Sequence, residues 1–448
     1  MKKSKLPIAV IGLGKTGISI AKYLKKNNKN FICYDTRLDL KITAEIKKYI
    51  SKRNIILGEF KKSYIKNHDN FIISPGVYLN SDLLNIIKHK GKNIQTDIDI
   101  FNEKRRKNII CITGSNGKTT VTLIIEFILN NLGNNAKAGG NVGLPVLELL
   151  EENYDYNILE LSSFQLEMTK KIISRSSLIT NITPDHLDRH KTFKNYVNIK
   201  HKVFKYSKNI IINISDDNIR KKEFIYKYSF GGKKRNNSGY FVEIENGTSY
   251  IFKGEKKLAS EKDFKLIGNH NLLNICAALA VIESLDLDIE KSIKIIKNFK
   301  SIEHRMENFY QNNKLIWIND SKSTNIDSTI SAVTSLKDKV ILILGGRSKT
   351  NNYTRLESAI INKVETLVLF GECKKFLSDN IRSIKNTIIA RDLHDAIIIS
   401  KDCAKNIGKT HNGNINIILS PACSSFDMFN SYEERGNFFK KNVLNIYR

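Results

Sequence analysis

A loop with two glycines, a lysine and four hydroxyl residues carries the clearest chemistry in the sequence. The run Thr113–Thr120 reads TGSNGKTT; it follows the apolar segment NIICI and opens the helix-like segment VTLIIEFIL. Backbone amides of such a loop hold phosphates, its lysine meets the β- and γ-phosphate oxygens, and the following hydroxyl binds Mg²⁺. Ile112 stands where a general phosphate loop has its first glycine. The lysine, the hydroxyl pair and the strand–loop–helix context still predict an ATP site.

A second glycine-rich loop lies near the start of the chain. Residues 12–17 read GLGKTG between an apolar run and a helix-like segment, and Asp35 ends the next apolar run. This spacing matches the fingerprint that binds the diphosphate of a dinucleotide. NAD is the obvious ligand, but a tight strand–helix turn without a ligand explains the same glycines. The motif indicates a diphosphate near residues 14–17, whichever nucleotide supplies it.

Other polar residues follow apolar runs further along the chain. Glu160 ends the run YNILE, where a carboxylate can hold Mg²⁺ or simply cap a helix, and residues 185–190 (DHLDRH) combine acids, histidines and a cation. Polar, cation-containing or hydroxyl-rich turns at 319–325, 345–349 and 420–427 follow three more runs. Because parallel strands end at one rim of their sheet, these three turns predict a site for an anionic substrate.

Short apolar runs alternate with helix-length amphipathic segments from end to end. The runs are apolar on both faces, as expected for parallel strands covered by helices. The pattern predicts an α/β protein with its ligands at the carboxyl ends of the strands. The predicted strands are 7–11, 108–113, 156–161, 314–318, 339–344, 366–370 and 416–420.

The length of 448 residues corresponds to about three ordinary domains. A charged segment at 97–106 precedes a strand with its own glycine loop, and a helical stretch ends near 299–303. The segment 207–265 is polar and rich in Lys, Gly and Asn, which predicts a hairpin-like, peripheral part of the middle domain. The predicted domains are 1–97, 98–302 and 303–448.

The composition is that of a folded but strongly basic protein. Hydrophobic residues make up 41% and charged residues 26%, which excludes a disordered or collagen-like chain. Lys+Arg 73 against Asp+Glu 45 gives a net charge of +28. The lysines are spread along the chain, and no zinc finger, aromatic RNP stretch or arginine-rich arm accompanies them. We therefore expect no nucleic-acid partner, while a polyanionic small molecule suits such a surface.

The cysteines and the apolar segments indicate the compartment. Six cysteines are scattered singly without CxxC spacing, which predicts neither a disulfide framework nor a zinc site and fits a reducing cytosol. Three glycines and Lys15 interrupt the apolar run near the start, so it is not expected to be a signal peptide. No run approaches the ~18 apolar residues of a membrane span. We expect a cytoplasmic protein without a membrane span.

Together the motifs resemble the Mur ligases, and among them the D-glutamate-adding ligases. The blocks TGSNGKTT, GGNVGLP, LELSSFQLE, TPDHLDR, GNHNLLN, HRME, NDSKSTN and SPACSSFD follow the family's order over the whole chain. IGLGKTG, DTR, SPG, LSSFQLE and SPACSSFD favour the D-glutamate-adding branch. The resemblance implies a Rossmann-like N-terminal domain, a central P-loop ATPase-like domain with a mostly parallel sheet, and a Rossmann-like C-terminal domain.

The resemblance also implies an activity. ATP phosphorylates the lactoyl-alanine carboxylate of UDP-N-acetylmuramoyl-L-alanine, and the amine of D-glutamate attacks the acyl phosphate, in peptidoglycan precursor synthesis. The first glycine loop then binds uridine diphosphate and not NAD. The implied cofactors are ATP and two Mg²⁺ ions, and the implied enzyme is a monomer whose third domain closes on the second.

Matching residue by residue assigns expected roles. The catalytic candidates are Lys118, His186, Lys200 and Lys322. The ATP candidates are Gly114, Ser115, Asn116, Gly117, Lys118, Thr119, Thr120, Asn274, Arg305 and Asp320. The metal candidates are Thr119, Glu160, His186 and Lys200, the last matching a lysine that is carbamylated in the family. The candidates for the uridine substrate are Gly14, Thr16, Thr36, Arg37, Asn141, Ser162, Gln165 and His186. The D-glutamate candidates are Thr324, Lys349, Ser425 and Phe426.

Three positions depart from the family pattern, and two other hypotheses stay open. Lys15 stands where an apolar residue is common, and Phe426 and Tyr432 replace other hydrophobic or aromatic choices. A sister ligase or a folylpolyglutamate-type ligase would share the ATP blocks but use another amino-acid acceptor. An NAD-dependent dehydrogenase, or a nucleotide-binding module without catalysis, is suggested only by the first glycine loop.

Overall fold

The apolar runs of the sequence form strands that assemble into three separate sheets with helices packed on them. The computed structural model describes residues 6–77, 81–105, 107–220, 224–232, 239–266, 268–300 and 302–447. The predicted α/β class and three-part architecture are confirmed.

The first sheet has the strand order of a Rossmann-like half. Its five strands are all parallel, in the order β3-β2-β1-β4-β5. They are β1 (Ile8–Ile11), β2 (Phe31–Asp35), β3 (Ile55–Leu57), β4 (Asn70–Ile73) and β5 (Asn93–Gln95). The helices of this N-terminal unit are α1 (Lys15–Lys26), α2 (Ala44–Tyr49), α3 (Ser81–His89) and α4 (Asp97–Lys104), with 3₁₀ turns at Lys52–Asn54 and Lys62–Asn67.

The second sheet places the phosphate loop at its centre. Its nine strands lie in the order β14-β13-β12-β11-β10-β9-β6-β8-β7, parallel as far as β12 and antiparallel beyond it. They are β6 (Ile109–Thr113), β7 (Ala136–Gly140), β8 (Tyr156–Glu160), β9 (Ser174–Ile179), β10 (Ser207–Asn213), β11 (Tyr228–Gly231), β12 (Tyr240–Glu245), β13 (Thr248–Lys253) and β14 (Lys256–Ser260). The helices of this central unit are α5 (Lys118–Asn131), α6 (Ser163–Met168), α7 (Leu187–His190), α8 (Phe193–His201), α9 (Asn269–Ser284) and α10 (Ile289–Ile296), with 3₁₀ turns at Val146–Leu150, Lys202–Phe204 and Glu261–Asp263.

The third sheet is parallel apart from one edge strand. Its order is β15-β16-β20-β17-β18-β19, and only β15 runs antiparallel to its neighbour. The strands are β15 (Glu307–Asn312), β16 (Leu315–Asn319), β17 (Lys339–Gly345), β18 (Val364–Phe370), β19 (Thr387–Ile389) and β20 (Ile415–Leu419). The helices of this C-terminal unit are α11 (Ile326–Ser335), α12 (Thr354–Ile360), α13 (Lys374–Asn380), α14 (Leu393–Gly408) and α15 (Tyr432–Asn445).

The three units are joined in two different ways. The N-terminal and central units share one hydrophobic core, in which Phe101 of α4 and Leu149 of a central 3₁₀ turn belong to the same buried cluster. The Asp99 carboxylate also accepts a hydrogen bond from the Lys170 backbone N–H at 2.9 Å. The two core clusters of the C-terminal unit contain no residue from the other units. Apolar burial therefore joins the first two units in one core, which the third unit does not share.

Two features differ from the sequence prediction. The segment 207–265 is not peripheral as a whole, because β10 and β11 are parallel strands that continue the main sheet, and only β12–β14 form an antiparallel edge. The polar strand β15, ENFYQN, carries no apolar run and was not predicted. Residues 221–223 and 233–238 of this segment, and Arg106 and Ser301 of the predicted boundary segments, lie outside the described residues.

The described ranges contain no helix with the length and apolar character of a membrane span.

The first glycine loop supplies a test of the fold. Gly17 lies so close to the turn before α1 that a Cβ there would overlap the carbonyl oxygen of Gly12. We predict that Gly17→Ala destabilises the N-terminal unit by about 1–3 kcal/mol, since overpacking displaces backbone. Thermal unfolding should show a lower melting temperature.

Gly14→Ala is the matched control. Gly14 has an ordinary φ of −78°, and a Cβ there meets no atom within 4 Å. An equal loss of stability in both variants would contradict the packing described for α1.

Candidate active site

A cleft of about 980 Å³ opens between the central and C-terminal units, at the carboxyl ends of strands from both sheets. Parallel strands present their polar turns at this rim, as the sequence pattern predicts. The predicted residues that line the cleft are Gly114, Ser115, Asn116, Gly117, Lys118, Thr119, Thr120, Asn141, Glu160, Ser162, His186, Lys200, Asn274, Arg305, Asp320, Lys322, Thr324, Lys349, Ser425 and Phe426. Those that do not line it are Gly14, Thr16, Thr36, Arg37 and Gln165.

The phosphate loop is held in shape from beneath. Gly117 caps α5 with a φ of +80°, and a Cβ there would overlap the Asn274 side-chain oxygen, so glycine is required. The Ser115 backbone N–H donates to the Asn181 carbonyl at 2.8 Å, and the Asn116 N–H donates to the Asn181 side chain at 2.9 Å. The loop is therefore fixed by its neighbours before any phosphate binds.

Two lysines converge on one carbonyl oxygen of this loop. The Nζ atoms of Lys118 and Lys200 donate to the Gly114 carbonyl at 2.9 and 2.7 Å, and Lys118 also donates to the Ser115 carbonyl at 2.8 Å. Lys200 is buried and lies 4.6 Å from the ring centre of Tyr196. Burial, and then the charge of Lys118, hold the pKa of Lys200 well below its usual value. Burial also lowers the pKa of Lys118.

Oxygen and imidazole groups of the central unit also line the cleft. Glu160 is buried at the end of β8, where one carboxylate oxygen accepts from Asn141 at 2.7 Å and the other has no hydrogen-bond partner among the described residues. The His186 ring lies 3.6 Å from the Asp185 carboxylate and packs edge-on against Phe164. Burial lowers the pKa of His186, so its ring is neutral at pH 7 and can act as a ligand.

The C-terminal unit contributes an acid and a cation from the turn after β16. The buried Asp320 carboxylate accepts from the Ser420 hydroxyl at 2.7 Å, and burial raises its pKa to about 6. The Lys322 ammonium lies 3.6 Å from the ring centre of Tyr432. Burial, and then the charge of Arg305, lower the pKa of Lys322 to about 7. An anion bound beside Lys322 would raise this pKa and so favour the protonated, charged amine.

Hydrogen bonds cross the cleft and hold its two walls together. The Asn116 side-chain oxygen accepts from Asn325 at 3.1 Å and from Ser328 at 2.6 Å, both at the start of α11. Within the C-terminal wall, the exposed Lys349 reaches the Thr324 hydroxyl at 3.5 Å. The predicted D-glutamate residues therefore lie in the same cleft as the phosphate loop.

The remaining two D-glutamate candidates differ in exposure. Ser425 is 2% exposed, whereas the Phe426 side chain is 66% exposed and projects at the mouth of the cleft.

The first glycine loop lies apart, in the N-terminal unit. Asp35 accepts from the Leu13 backbone N–H at 2.7 Å and from the Arg37 guanidinium at 2.8 Å on each oxygen. Although burial alone would raise it, the hydrogen bonds from Arg37 and Leu13 lower the pKa of Asp35. The carboxylate that a dinucleotide fold would offer to a ribose is thus bound by the chain itself. Gly14 and Thr36 are exposed beside it.

Gln165 is buried, and its side chain accepts from the Ser162 backbone at 2.9 Å in a capping box of α6. Nearby, Arg189 donates to the Pro75 carbonyl of the N-terminal unit at 3.1 Å. These contacts connect the first glycine loop's side of the protein to the cleft.

Several residues that shape the cleft were not predicted from the sequence. Asn181 supports the phosphate loop, Asp185 faces His186, and the Tyr196 hydroxyl lies 3.0 Å from the Ser115 hydroxyl. Asn325 and Ser328 make the contacts across the cleft. Asp185 and Asn325 lie inside segments that the sequence did single out, 185–190 and 319–325, but nothing local distinguishes the other three.

Comparisons with known proteins show which family this chain is similar to. A family described as the Mur ligase middle domain matches residues 112–282, and one described as Mur ligase MurD-like, N-terminal domain matches residues 7–96. The UDP-N-acetylmuramoylalanine–D-glutamate ligase of Legionella pneumophila (strain Paris) is 34% identical over 447 residues, covering 98% of each chain. The enzyme of the same name from Coxiella burnetii (strain Dugway 5J108-111) is 35% identical over 442 residues, covering 97% of this chain and 98% of its own.

Solved structures share the fold at much lower identity. A UDP-N-acetylmuramate–alanine ligase, MurC, from Thermotoga maritima aligns with a TM-score of 0.60 at 17% identity, covering 99% of both chains. A pseudomurein peptide ligase type C from Methanothermus fervidus aligns at 0.61 and 19%, covering 99% of this chain and 100% of its own. A MurF ligase from Thermotoga maritima in complex with ADP aligns at 0.58 and 16%, covering 99% and 96%.

The lowered pKa of Lys322 predicts a pH-dependent affinity for polyphosphate. At about pH 8 this lysine is mostly neutral, and a bound phosphate raises its pKa, so binding takes up a proton and affinity falls as the pH rises from about 7 to 9. Calorimetry with inorganic tripolyphosphate in two buffers of different ionisation enthalpy measures this uptake.

Lys322→Arg is the control, because a guanidinium stays charged throughout this range. The variant should take up fewer protons, by as much as about one per ligand, since the group no longer changes its protonation state on binding. Equal uptake by both proteins would show that Lys322 is already charged in the free protein.

Proposed function

The chain belongs to the Mur ligase family, and from this premise we propose that it joins D-glutamate to UDP-N-acetylmuramoyl-L-alanine at the expense of ATP, as its relatives are named for doing. The observation that carries the proposal is a single cleft that holds the phosphate loop on one wall and Thr324, Lys349 and Ser425 on the other. The proposal includes a monomer that acts in the cytoplasm, where ATP is available.

The reaction overcomes the poor reactivity of a carboxylate. A carboxylate oxygen of the alanyl group attacks the γ-phosphorus of ATP, the bond to the β-phosphate oxygen breaks, and ADP leaves. The amine of D-glutamate then attacks the acyl carbon, phosphate leaves with its oxygen, and an amide remains. Little covalent chemistry falls to the protein, whose tasks are alignment and charge neutralisation.

Cations from both walls serve the phosphoryl transfer. Lys118 turns from the Gly114 and Ser115 carbonyls to the β- and γ-phosphates, and the amides at the start of α5 bind the same oxygens. Lys322 and Arg305 approach from the C-terminal unit, and Asn274 contacts the nucleotide from α9. Once ATP is bound, these groups are positioned to stabilise the charge that develops in the transition state.

The cleft also fits Mg²⁺, which the family uses with ATP. The unpartnered buried oxygen of Glu160, together with the Thr119 hydroxyl and the neutral His186 ring, would hold two ions, in keeping with the preference of Mg²⁺ for a few protein ligands plus phosphates and water. Bound Mg²⁺ neutralises phosphate charge. Within the described residues, no three acidic, His or Cys side chains cluster closely enough to hold a metal on their own, so phosphate oxygens must complete each site.

Lys200 supplies a further oxygen ligand if its amine is carbamylated, and we include this in the proposal. Carbamylation joins an uncharged amine to CO₂ and releases a proton. Burial and Lys118 keep the pKa of Lys200 far below that of an exposed lysine, so the reactive amine is available. The carbamate would place a negative, carboxylate-like group beside Lys118, which attracts the Lys118 ammonium.

D-glutamate binds inside the cleft, whereas the uridine diphosphate binds outside it. Lys349, with Thr324 and Ser425, suits the two carboxylates of D-glutamate, and Phe426 covers the mouth. The uridine diphosphate lies on the N-terminal unit at Gly14, Thr16, Thr36 and Arg37. From there its sugar and peptide extend past Ser162 and Asn141 toward Glu160. Gln165 supports this path through its hydrogen bonds to Ser162.

Phosphate release tests the function. ATP, Mg²⁺ and UDP-N-acetylmuramoyl-L-alanine should give phosphate with D-glutamate, and none with L-glutamate, L-alanine, L-lysine or no acceptor. Lys118→Ala should lower kcat by about 10²–10³-fold, since it removes a cation that stabilises transition-state charge.

Lys137→Ala is the control for charge, because Lys137 is a partly exposed lysine of β7 paired with Glu126. Turnover with another amino acid would keep the ATP chemistry and make the chain a sister ligase. Unchanged kcat in Lys118→Ala would refute the assignment of the phosphate loop.

Chemical rescue tests the carbamate. Lys200→Ala should lose most of its activity and regain part of it with formate or acetate, because a small carboxylate can replace the missing oxygen ligand. Lys194→Ala, an exposed lysine on the same helix, should stay fully active and gain nothing from either anion. A folded Lys200→Ala enzyme that no carboxylate rescues would exclude the carbamate.

A further inference from the structure

Two cysteines that are far apart in the sequence meet beneath the D-glutamate end of the cleft. The sulfurs of Cys373 and Cys423 lie 3.5 Å apart, and neither forms a disulfide. Cys373 caps α13 after β18, and Cys423 lies in the turn after β20. The strand β17 lies between those two strands, so the pair spans the loop that follows it.

A chain of hydrogen bonds connects this pair to both loops that carry the D-glutamate candidates. The Tyr353 hydroxyl lies 3.3 Å from the Cys423 sulfur and 2.8 Å from the Ser348 hydroxyl. Ser348 precedes Lys349, and Cys423 lies two residues before Ser425. Movement of the Cys423 sulfur would therefore be transmitted to both loops, through Tyr353 to Ser348 and along the chain to Ser425.

We propose that Cys373 and Cys423 form a redox site, oxidised to a disulfide by hydroperoxides, that switches off the D-glutamate step of the reaction. This inference rests on the proposed function for its effect on turnover, but not for the formation of the bond. The dithiol form is active and the disulfide form binds D-glutamate poorly.

The chemistry needs only the two thiols and the peroxide. One thiolate attacks a peroxide oxygen, the O–O bond breaks, and a sulfenic acid forms with release of water or an alcohol. The second sulfur attacks the first, the S–O bond breaks, and water leaves as the disulfide forms. Two thiols lose two hydrogens and two electrons, and the peroxide is reduced.

The surroundings favour this pair over the other cysteines. Hydrogen bonds from Cys373 and Tyr353 lower the pKa of Cys423, which favours its thiolate as the attacking group, whereas the hydrogen bond with Cys423 raises the pKa of Cys373. Cys373 is 8% exposed and offers a small oxidant a way in, whereas Cys423 is fully buried. Buried, isolated thiols such as Cys111 and Cys276 have raised pKa values and no sulfur neighbour among the described residues.

In the proposed disulfide form, the turns that carry the two sulfurs are drawn together. A disulfide brings the sulfurs to about 2.05 Å, which is about 1.5 Å closer than they lie here. The turn between them is tightly packed: the Gly346 carbonyl accepts from the Cys373 backbone N–H at 3.0 Å, and Arg347 and Ser424 exchange two backbone hydrogen bonds of 3.0 Å. In this proposal the shift reaches Ser425 and Lys349 through these packed turns. A misplacement of this size costs about 10²-fold in a catalytic site.

To test the proposal, the protein is oxidised with hydrogen peroxide, and its free thiols and its kinetic constants are measured. Thiol titration after denaturation should show two thiols lost, and peptide mass mapping should show a Cys373–Cys423 cross-link that dithiothreitol reverses. The oxidised enzyme should lose about 10- to 100-fold in kcat/KM for D-glutamate, while its KM for ATP stays near the reduced value.

Cys373→Ala and Cys373→Ser should keep the reduced enzyme's activity and lose its sensitivity to peroxide. Cys403→Ala, at a partly exposed cysteine of α14, should remain sensitive. Two thiols that survive peroxide treatment, or a cross-link that leaves kcat/KM unchanged, would overturn the proposal. A reduced enzyme without D-glutamate-dependent turnover would refute the proposed function, while the cross-link would still report on the redox site.

Discussion

Like charges crowded into a low-dielectric cleft are the constraint on which the rest of the site depends. Lys118 and Lys200 share the Gly114 carbonyl, and Arg305, Lys322 and Lys349 approach the same space from the opposite wall. Burial and mutual repulsion lower the pKa of several of these groups. A bound polyanion offsets both the cost of burying these cations and their mutual repulsion, because it brings the negative charge that the site lacks. The affinity for nucleotide and the chemistry of transfer thus come from one arrangement.

The same constraint couples nucleotide binding to the position of the C-terminal unit. That unit has its own hydrophobic cores and touches the phosphate loop through hydrogen bonds from Asn325 and Ser328 to Asn116. Such bonds are worth about 0.5–1.5 kcal/mol each, and the positive groups on the two walls oppose them. A phosphate chain between the walls converts that repulsion into attraction. The N-terminal unit has no such freedom, because it shares its core with the central unit.

The proposed Cys373–Cys423 switch concerns the binding of the other substrate, D-glutamate. The turns after β17, β18 and β20 are packed so closely that Gly346 has no room for a side chain beside Ser424. Close packing transmits small displacements instead of absorbing them. A chemical change at two sulfurs can therefore alter a carboxylate-binding loop, and the scattered cysteines of the sequence conceal this because 50 residues separate the two.

Buried strands and the phosphate loop can be predicted from the sequence, because short stretches of chain encode them. Apolar runs such as 108–113 and 339–344 specify buried parallel strands, and the lysine and hydroxyls of the phosphate loop specify a polyphosphate site, because strand burial and loop chemistry depend on near neighbours. Which distant groups come into contact depends on how the segments pack in the folded protein. That packing buried Lys200 against Gly114, 86 residues away, and it made β10 and β11 part of the main sheet despite their polar surroundings. Burial, shifted pKa values and contacts across the cleft arise from packing between segments, and no local pattern records which segments will pack together.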